Sequence, residues 1–174
     1  METNLAITQV SNANIYLDGK SLLGRAEEVK LPDITVAMSE RKSLGMVGVI
    51  ELPTGFEKME GEIKWNSLYK DVALGVANPW KAVSLQVRAN QAGYASGGRI
   101  AQVPLVVHLT VSFKKNPLGT FKQNESAEFT SSFSCYYIKQ VLGGEEILEF
   151  DAMANIYKVG GVDQLADFRK NTGA

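Results

Sequence analysis

The sequence predicts a mainly β fold, an antiparallel β-sandwich or barrel with one short internal helix and one short helix at the C-terminus. Three observations carry this. Long runs of strict apolar/polar alternation occupy the middle of the chain, and a period of two is the signature of a strand with one buried face. Asp-Gly and Gly-Gly pairs punctuate the runs where two-residue hairpin turns need positive φ. Only two short stretches carry helical signals.

Taken in order, residues 1–12 are polar and aperiodic and predict a loose arm. Asn14–Leu17, Asp18-Gly19 and Ser21–Arg25 form a strand, tight turn and strand, and Val29–Leu31 extends the sheet. Pro32 lacks a donor and marks an edge or break. Thr35–Glu40 forms another strand. Residues 41–55, with Gly45, Gly48, Pro53 and Gly55, show no period and predict an extended loop, long for a small domain.

From Lys58 to Asn66 the alternation is cleanest. Met59, Gly61, Ile63 and Trp65 share one face, and Lys58, Glu60, Glu62, Lys64 and Asn66 the other. Ser67 suits a helix N-cap and Gly75 a C′ position, which predicts a helix over Leu68–Leu74. Val83, Leu85, Val87 and Ala89 then alternate with Ser84, Gln86, Arg88 and Asn90. Val103 through Phe113 repeats the pattern, with Gly97-Gly98 as the turn between. Each run extends past ten residues, a reach of more than ~33 Å at about 3.3 Å per residue. Ordinary strands are half that length. Lys114–Asn124 forms a polar loop. Phe129–Ile138 and Glu145–Phe150 make a hairpin about Gly143-Gly144, and Gly160-Gly161 leads into a helix over residues 162–172.

A chain of 174 residues fits one domain, residues 1–174, and 45% hydrophobic with 21% charged residues is ordinary for a globular protein. A net charge of −1 argues against a nucleic-acid binder. One cysteine excludes an internal disulfide and a multi-cysteine zinc site. No basic segment precedes an apolar run at the N-terminus, and no stretch has the roughly 20 apolar residues of a membrane helix, so a soluble cytoplasmic product is expected.

Searching for chemistry yields little. His108, the one histidine, shares a strand face with Thr110 and Ser112, without a nucleophile elbow or oxyanion loop beside it. Cys135 falls on the face of Phe129, Phe133 and Tyr137, where a thiol is ordinarily inert packing. Glu60/Glu62 alternate with Lys58/Lys64 as compensating charges, and Glu145/Glu146 flank a turn. The glycines come in pairs without a phosphate-loop pattern. Asn124-Glu125-Ser126 matches a glycosylation acceptor without a secretory signal, and Lys114-Lys115 is too small a basic patch for nucleic acid. The expectation is no catalytic, cofactor-binding or metal-binding residue, no cofactor, and no enzyme. What is unusual is the two overlong strands, whose polar faces carry Gln86, Asn90, Gln102, Thr110 and Ser112. Exposed long edges invite pairing, and either a closed assembly or a monomeric sandwich with large sheets would accommodate them.

The C-terminal run LEFDAMANIYKVGGVDQLADFRKNTGA resembles the ending of the major tail tube proteins of contractile-tailed phages and R-type bacteriocins. The elements that carry the resemblance are Glu149-Phe150-Asp151, Asn155-Ile156, and Gly161-Val162-Asp163-Gln164-Leu165 followed by Arg169 and Asn171. NIYLDGKSLLGRAEEVKLP, Gly45-Met46, Met59-Glu60 with Trp65, and Tyr136-Tyr137 extend it through the chain. The resemblance departs in a longer N-terminal arm and in the VGVIELPTGF wording of the loop. It implies a tail-tube-like barrel subunit that closes into hexameric rings, which stack into a hollow tube inside a contractile sheath, as a virion component assembled in the host bacterial cytoplasm. The implied partners are the chain itself, the sheath protein, a baseplate initiator, tape measure and tail terminator proteins, and genomic DNA passing through without tight binding. Insertion of the monomer into a membrane is not implied. On this resemblance Met59–Trp65 and Val83–Phe113 would line the lumen, residues 41–55 would reach a neighbour, and residues 162–172 would face the sheath. The alternatives are the tube of a DNA-free machine, a bacteriocin or type VI secretion tube, and, further off, a monomeric β-sandwich binding module.

Overall fold

The two longest alternating runs pair with each other and set the frame of the molecule. The computed structural model describes residues 7–174. Its strands are β1 (Ile7–Leu17), β2 (Lys20–Ser21), β3 (Ala26–Lys30), β4 (Val36–Arg41), β5 (Ile50–Phe56), β6 (Met59–Trp65), β7 (Val83–Ala95), β8 (Gly98–Lys115), β9 (Phe129–Leu142), β10 (Glu145–Asp151), β11 (Ile156–Val159) and β12 (Val162–Asp163). Two helices, α1 (Lys70–Val76) and α2 (Ala166–Thr172), complete it. Every pairing is antiparallel, in a ten-stranded sheet of order β12-β11-β10-β9-β8-β7-β1-β2 and a separate β4-β5 hairpin.

The sheet branches at β9. Phe129–Cys135 pairs with β6, which carries β3, whereas Tyr137–Leu142 pairs with β10. This lets the sheet curl into an incomplete barrel. Its apolar interior holds Ile15, Leu17, Leu22, Ile63, Trp65, Leu85, Leu109, Phe113 and Phe133, closed at one end by Val72 and Val76 of α1. The opening lies between β1 and β3, lined among others by Val10, Leu22, Val29 and Leu105. The indole N–H of Trp65 donates to Ser131 Oγ at 2.9 Å, so the fully buried Ser131 hydroxyl is partnered.

The alternating runs form strands as the sequence predicts, and the turn residues behave as their chemistry requires. Gly143 and Gly144 take φ of 60° and 91°, and Asp18 and Gly19 take 47° and 79°, the double positive φ of a tight hairpin turn. Gly61 has a different reason to be glycine. A Cβ there would lie 2.4 Å from Phe133 Cζ and 2.6 Å from the Lys30 carbonyl oxygen.

Five expectations are corrected. Residues 7–12 are not a loose arm: Ile7–Ser11 pairs with Asn90–Tyr94, the ladder of the overlong β7 outweighing weak local propensity. Residues 1–6 lie outside the described structure. The predicted strand Ser21–Arg25 is cut to Lys20–Ser21, because Leu22 turns into the core and Gly24 adopts φ 75°. The expected loop 41–55 is half strand. Ile50–Phe56 returns on Val36–Arg41, with Pro53 at a register shift and Thr54 Oγ1 donating to the Ala37 carbonyl. The internal helix runs Lys70–Val76, with Tyr69 and not Ser67 at its N-cap, because Val72 and Val76 are the pair one turn apart that reaches the core. Gly75 lies inside the helix, where its Cβ position is 3.4 Å from Leu17. Lastly, residues 162–165 are not helical. Gly160 and Gly161, at φ 55° and 81°, turn the chain into a β11-β12 hairpin before α2 begins at Ala166.

Candidate assembly surfaces

The residues with the chemistry for catalysis are dispersed and occupied. His108 lies on the outer face of β8, 3.4 Å from Gln86 Nε2 and opposite Lys139 of β9. Partial burial, then the charges of Arg88 and Lys139, push its pKa down, which favours the neutral ring. Ser112 is no partner for it, since its hydroxyl donates to the Pro79 carbonyl at 2.9 Å. Burial pushes the Cys135 thiol up to about 12, and its Sγ donates to the Tyr137 carbonyl. Glu60 accepts from Lys114 at 2.5 Å and from Lys58 at 3.0 Å, which lowers its pKa, and Glu146 pairs with Lys139 at 2.7 Å. Among the described residues no three His, Cys, Asp or Glu side chains are grouped to hold a metal, and no helix is long and apolar enough to cross a membrane.

Strand register brings together what the sequence keeps apart. Tyr16, Gln86, His108, Lys139, Glu149, Lys158 and Asp163 are successive cross-strand partners. Directly opposed residues share a face, so these seven form one polar ribbon across the outer surface of the sheet. Its charges alternate in sign from Lys139 onward. Glu149 accepts from Lys158 Nζ at 2.6 Å and from the Tyr137 hydroxyl at 2.9 Å. These contacts hold the Glu149 carboxyl below its ordinary range and raise Lys158 above its own, while burial, and then the bond to Glu149, raises Tyr137.

Opposed to this satisfied face are apolar surfaces that nothing in the monomer covers. The β4-β5 hairpin exposes Val36, Met38, Leu44, Met46, Val47, Val49, Ile50 and Leu52. It is anchored at its root, where Phe56 packs against Phe150 and Tyr157 with ring centroids 4.8 and 4.9 Å apart. A second extension is the three-stranded flap of residues 7–11, 90–95 and 98–103, which runs past the end of the barrel and exposes Ile7, Val10, Tyr94 and Ile100. Between the hairpin root and α2 lies an apolar groove of about 610 Å³, lined by Val36, Pro53, Phe56, Phe150, Leu165 and Phe168, with Asp151 on its rim.

A family model described as phage tail tube protein FII matches residues 7–173. The chain belongs to this family. It is a phage tail tube protein, a structural class. A tail tube protein of Escherichia phage P2 is 28% identical over 164 residues, 92% of this chain and 94% of that protein. Two cryo-EM structures of the extracellular contractile injection system PVC contain chains of similar fold. One, from the sheath–tube complex in the extended state, has a TM-score of 0.54 at 8% identity, over 74% of this chain and 87% of that one. The other, from the sheath/tube terminator in the extended state, has a TM-score of 0.53 at 9% identity, over 74% and 92%.

In this tail tube protein the terminal motif builds a clamp. Asp151 Oδ1 accepts from the N–H groups of Met153 and Ala154, and Asn155 turns the chain with φ 51°. Arg169 of α2 donates to the Asn155 carbonyl at 2.8 Å and to Asp163 at 2.5 Å. The Asp163 carboxyl, held below its ordinary range chiefly by Arg169, also accepts from the Leu165 N–H. The motif thus pins a seven-residue helix, too short to persist alone, to the last hairpin.

Proposed function

We propose that copies of this chain close into six-membered rings that stack into the hollow inner tube of a contractile phage tail, through which DNA passes into the host. What supports the reading most is the β4-β5 hairpin. A lone two-stranded hairpin is marginal in water, and this one exposes eight large apolar side chains along both strands and its tip. Covering by another copy would bury that surface. The flap exposes apolar side chains and backbone in the same way, and occupation by neighbours would remove its free edge.

The polar ribbon is suited to the lumen side, with Val83–Phe113 as the wall. A wall with paired charges attracts a polyanion weakly, whereas an uncompensated basic wall would retain it by counterion release. The Met59–Trp65 strand adds Glu60, paired with Lys58 and Lys114, to the same outer surface. The hairpin would reach a neighbouring subunit or the next ring, and α2 would face the sheath. Residues 1–174 act as one domain in this scheme. Its further partners are the sheath protein, a baseplate initiator, a tape measure and a terminator, and its place is the virion, after assembly in the host cytoplasm.

The PVC neighbours favour a second reading, a tube in a DNA-free injection machine, and the phage P2 relative favours the first. Capsid and terminase genes beside the coding sequence would decide between them. Electron microscopy of the concentrated protein, alone and with an initiator complex, tests the assembly common to both. Uniform rings or hollow rods are expected. A monomer that stays dispersed with initiator and sheath present would refute the proposal in favour of a binding module.

A further inference from the structure

Strands β8, β7 and β1 lie side by side in the sheet and hold no Asp or Glu. They carry Arg88, Arg99, Lys114 and Lys115, so a chain of net charge −1 keeps four cations on three acid-free strands. Lys114 is neutralised by Glu60. Arg88 and Arg99 make no ion pair among the described residues. Arg88 stands on the outer face, directly between Asn14 of β1 and Val106 of β8. The first carboxylate along that row is Glu146, three strands beyond, roughly 14 Å away at about 4.8 Å per strand and already paired with Lys139. A gap wider than the Debye length of about 8 Å leaves the guanidinium uncompensated. The group is also positioned: its Cζ lies 5.3 Å from the centre of the Tyr16 ring, which holds it while its N–H donors stay free. His108 is its diagonal neighbour across the β7-β8 pair, near enough for Arg88 to depress the imidazole pKa. Gln86 and Asn90 flank Arg88 on its own strand with neutral amides. Arg99, opposite Tyr94, is on the same face six residues further along, roughly 20 Å at about 3.4 Å per residue. Cations in a line with amides and no acid between them suit a long polyanion of regular charge, where a compact acidic peptide would call for a cluster.

We propose that the acid-free face of β1, β7 and β8 is a phosphate-contacting track for nucleic acid, with Arg88 donating to the phosphodiester oxygens and His108 beside it. The track rests on the lumen reading above, in which DNA passes along this face. A guanidinium matches two phosphate oxygens at once, which gives each subunit a defined hold on the backbone. Free cations ~20 Å apart release few counterions per length of nucleic acid, so the hold is weak and the polymer slides.

His108 is the one histidine of the chain, so its imidazole C–H signals in proton NMR are a single reporter beside Arg88. The full-length monomer is titrated with a short mixed-sequence DNA duplex and, separately, with poly-glutamate. The duplex is expected to shift the His108 signals, with log affinity falling linearly in log salt. Arg88→Gln should weaken binding about threefold to fivefold and reduce the salt slope by about one. Lys122→Gln removes the same charge from a loop outside these strands and should change neither. A His108 signal that does not move, a slope equal in Arg88→Gln and wild type, or an equal response to poly-glutamate overturns the track and leaves the tube reading standing. The lumen reading is tested apart, with a protein-sized maleimide reagent on Arg88→Cys, since the native Cys135 is buried. The monomer of this variant should be labelled and its tubes should not. Labelling of intact tubes would place the face outside, and would overturn the lumen reading and the track together.

Discussion

Replacing Gly61 by alanine tests the core that holds the tube subunit in shape. Gly61 lies opposite Phe133 in the β6-β9 ladder, and a methyl group there would sit 2.4 Å from Phe133 Cζ, 2.7 Å from Cε2 and 2.6 Å from the Lys30 carbonyl. Unstrained carbon contacts begin near ~3.5 Å, so about an ångström must be found. The ring cannot yield it: Phe133 is 0% exposed and packs edge-on against Phe113 at 5.9 Å. The carbonyl belongs to β3, so the β3-β6 pairing must shift instead. Overpacking of this kind costs ~1–3 kcal/mol, and with both neighbours blocked the upper end applies. Gly61 has no positive φ, so alanine recovers about 0.4–1 kcal/mol by restricting the unfolded chain. The net loss of roughly 2 kcal/mol lowers Tm by about 4–8 °C for a chain of this length. Thermal and urea unfolding below the assembly concentration, followed by fluorescence of the buried Trp65 on the same strand, reads it. Gly55→Ala, with nothing within 4 Å of the added carbon, is the control and should unfold like wild type. Equal Tm values for the two variants would refute the steric argument.

Three further outcomes follow from the same structure. Glu149 has a folded pKa depressed chiefly by Lys158 and then by Tyr137. Its stabilisation is therefore full above the ordinary glutamate range near ~4.3 and is lost as pH falls through the folded value. Tyr137→Phe removes a hydrogen bond to a charged acceptor and should cost ~1.5–3 kcal/mol at pH 7, with a smaller deficit in urea titrations near pH 3. A disulfide reagent should leave Cys135 unmodified in the native protein and label it in denaturant, because burial raises the thiol to about 12. Replacing residues 43–48 by a two-residue Asn-Gly turn should leave the monomer's circular dichroism and Tm unchanged and abolish tubes in electron micrographs. This is a cleaner excision than removing 42–54, which would take most of β5 and strain the Phe56 anchor.

The long strands were legible because their code is local: one buried face prints a period of two along β6, β7, β8 and β9, and glycine pairs print the turns. The missed elements lack that print. Strand β5 is exposed along nearly its whole length, so nothing forces its residues to alternate, and Pro53 and Gly55 read as breakers. Residues 7–11 are a strand because Asn90–Tyr94 is there to pair with, a non-local cause. The apolar run Leu44, Met46, Val47, Val49, Ile50 and Leu52 was visible, but apolar residues do not declare in sequence whether they are core or uncovered surface. The polar ribbon was invisible for another reason. Lys139, Glu149 and Lys158 are ten and nine residues apart in sequence, and only the hairpin registers, one carrying a bulge at Glu146/Leu148, set them side by side. The terminal motif was recognisable as a pattern, yet its work as a clamp from Arg169 to Asn155 and Asp163 appears only in three dimensions.

These features divide the molecule into a part that is stable alone and parts that await a neighbour. Strands β6 to β9 bury one face against a continuous apolar interior, and their amides should open only with global unfolding. The hairpin has a single anchor at Phe56, and its outer residues pair with nothing but each other. Ordering it on a neighbour offsets the entropy of fixing its backbone, about 1–2 kcal/mol per residue, against the apolar area it buries. Under the proposed ring assembly, a first ring with no ring beneath it would gain none of that offset, so growth would begin on an initiator and then run easily. Hydrogen exchange measures the division directly. In the monomer, amides over residues 42–52 should exchange orders of magnitude faster than those of Val107–Val111. In tubes the 42–52 segment should become protected while Val107–Val111 barely changes. Equal protection of the hairpin before and after assembly would mean that it is ordered by its own chain, and the coupling between assembly and order would fail with it.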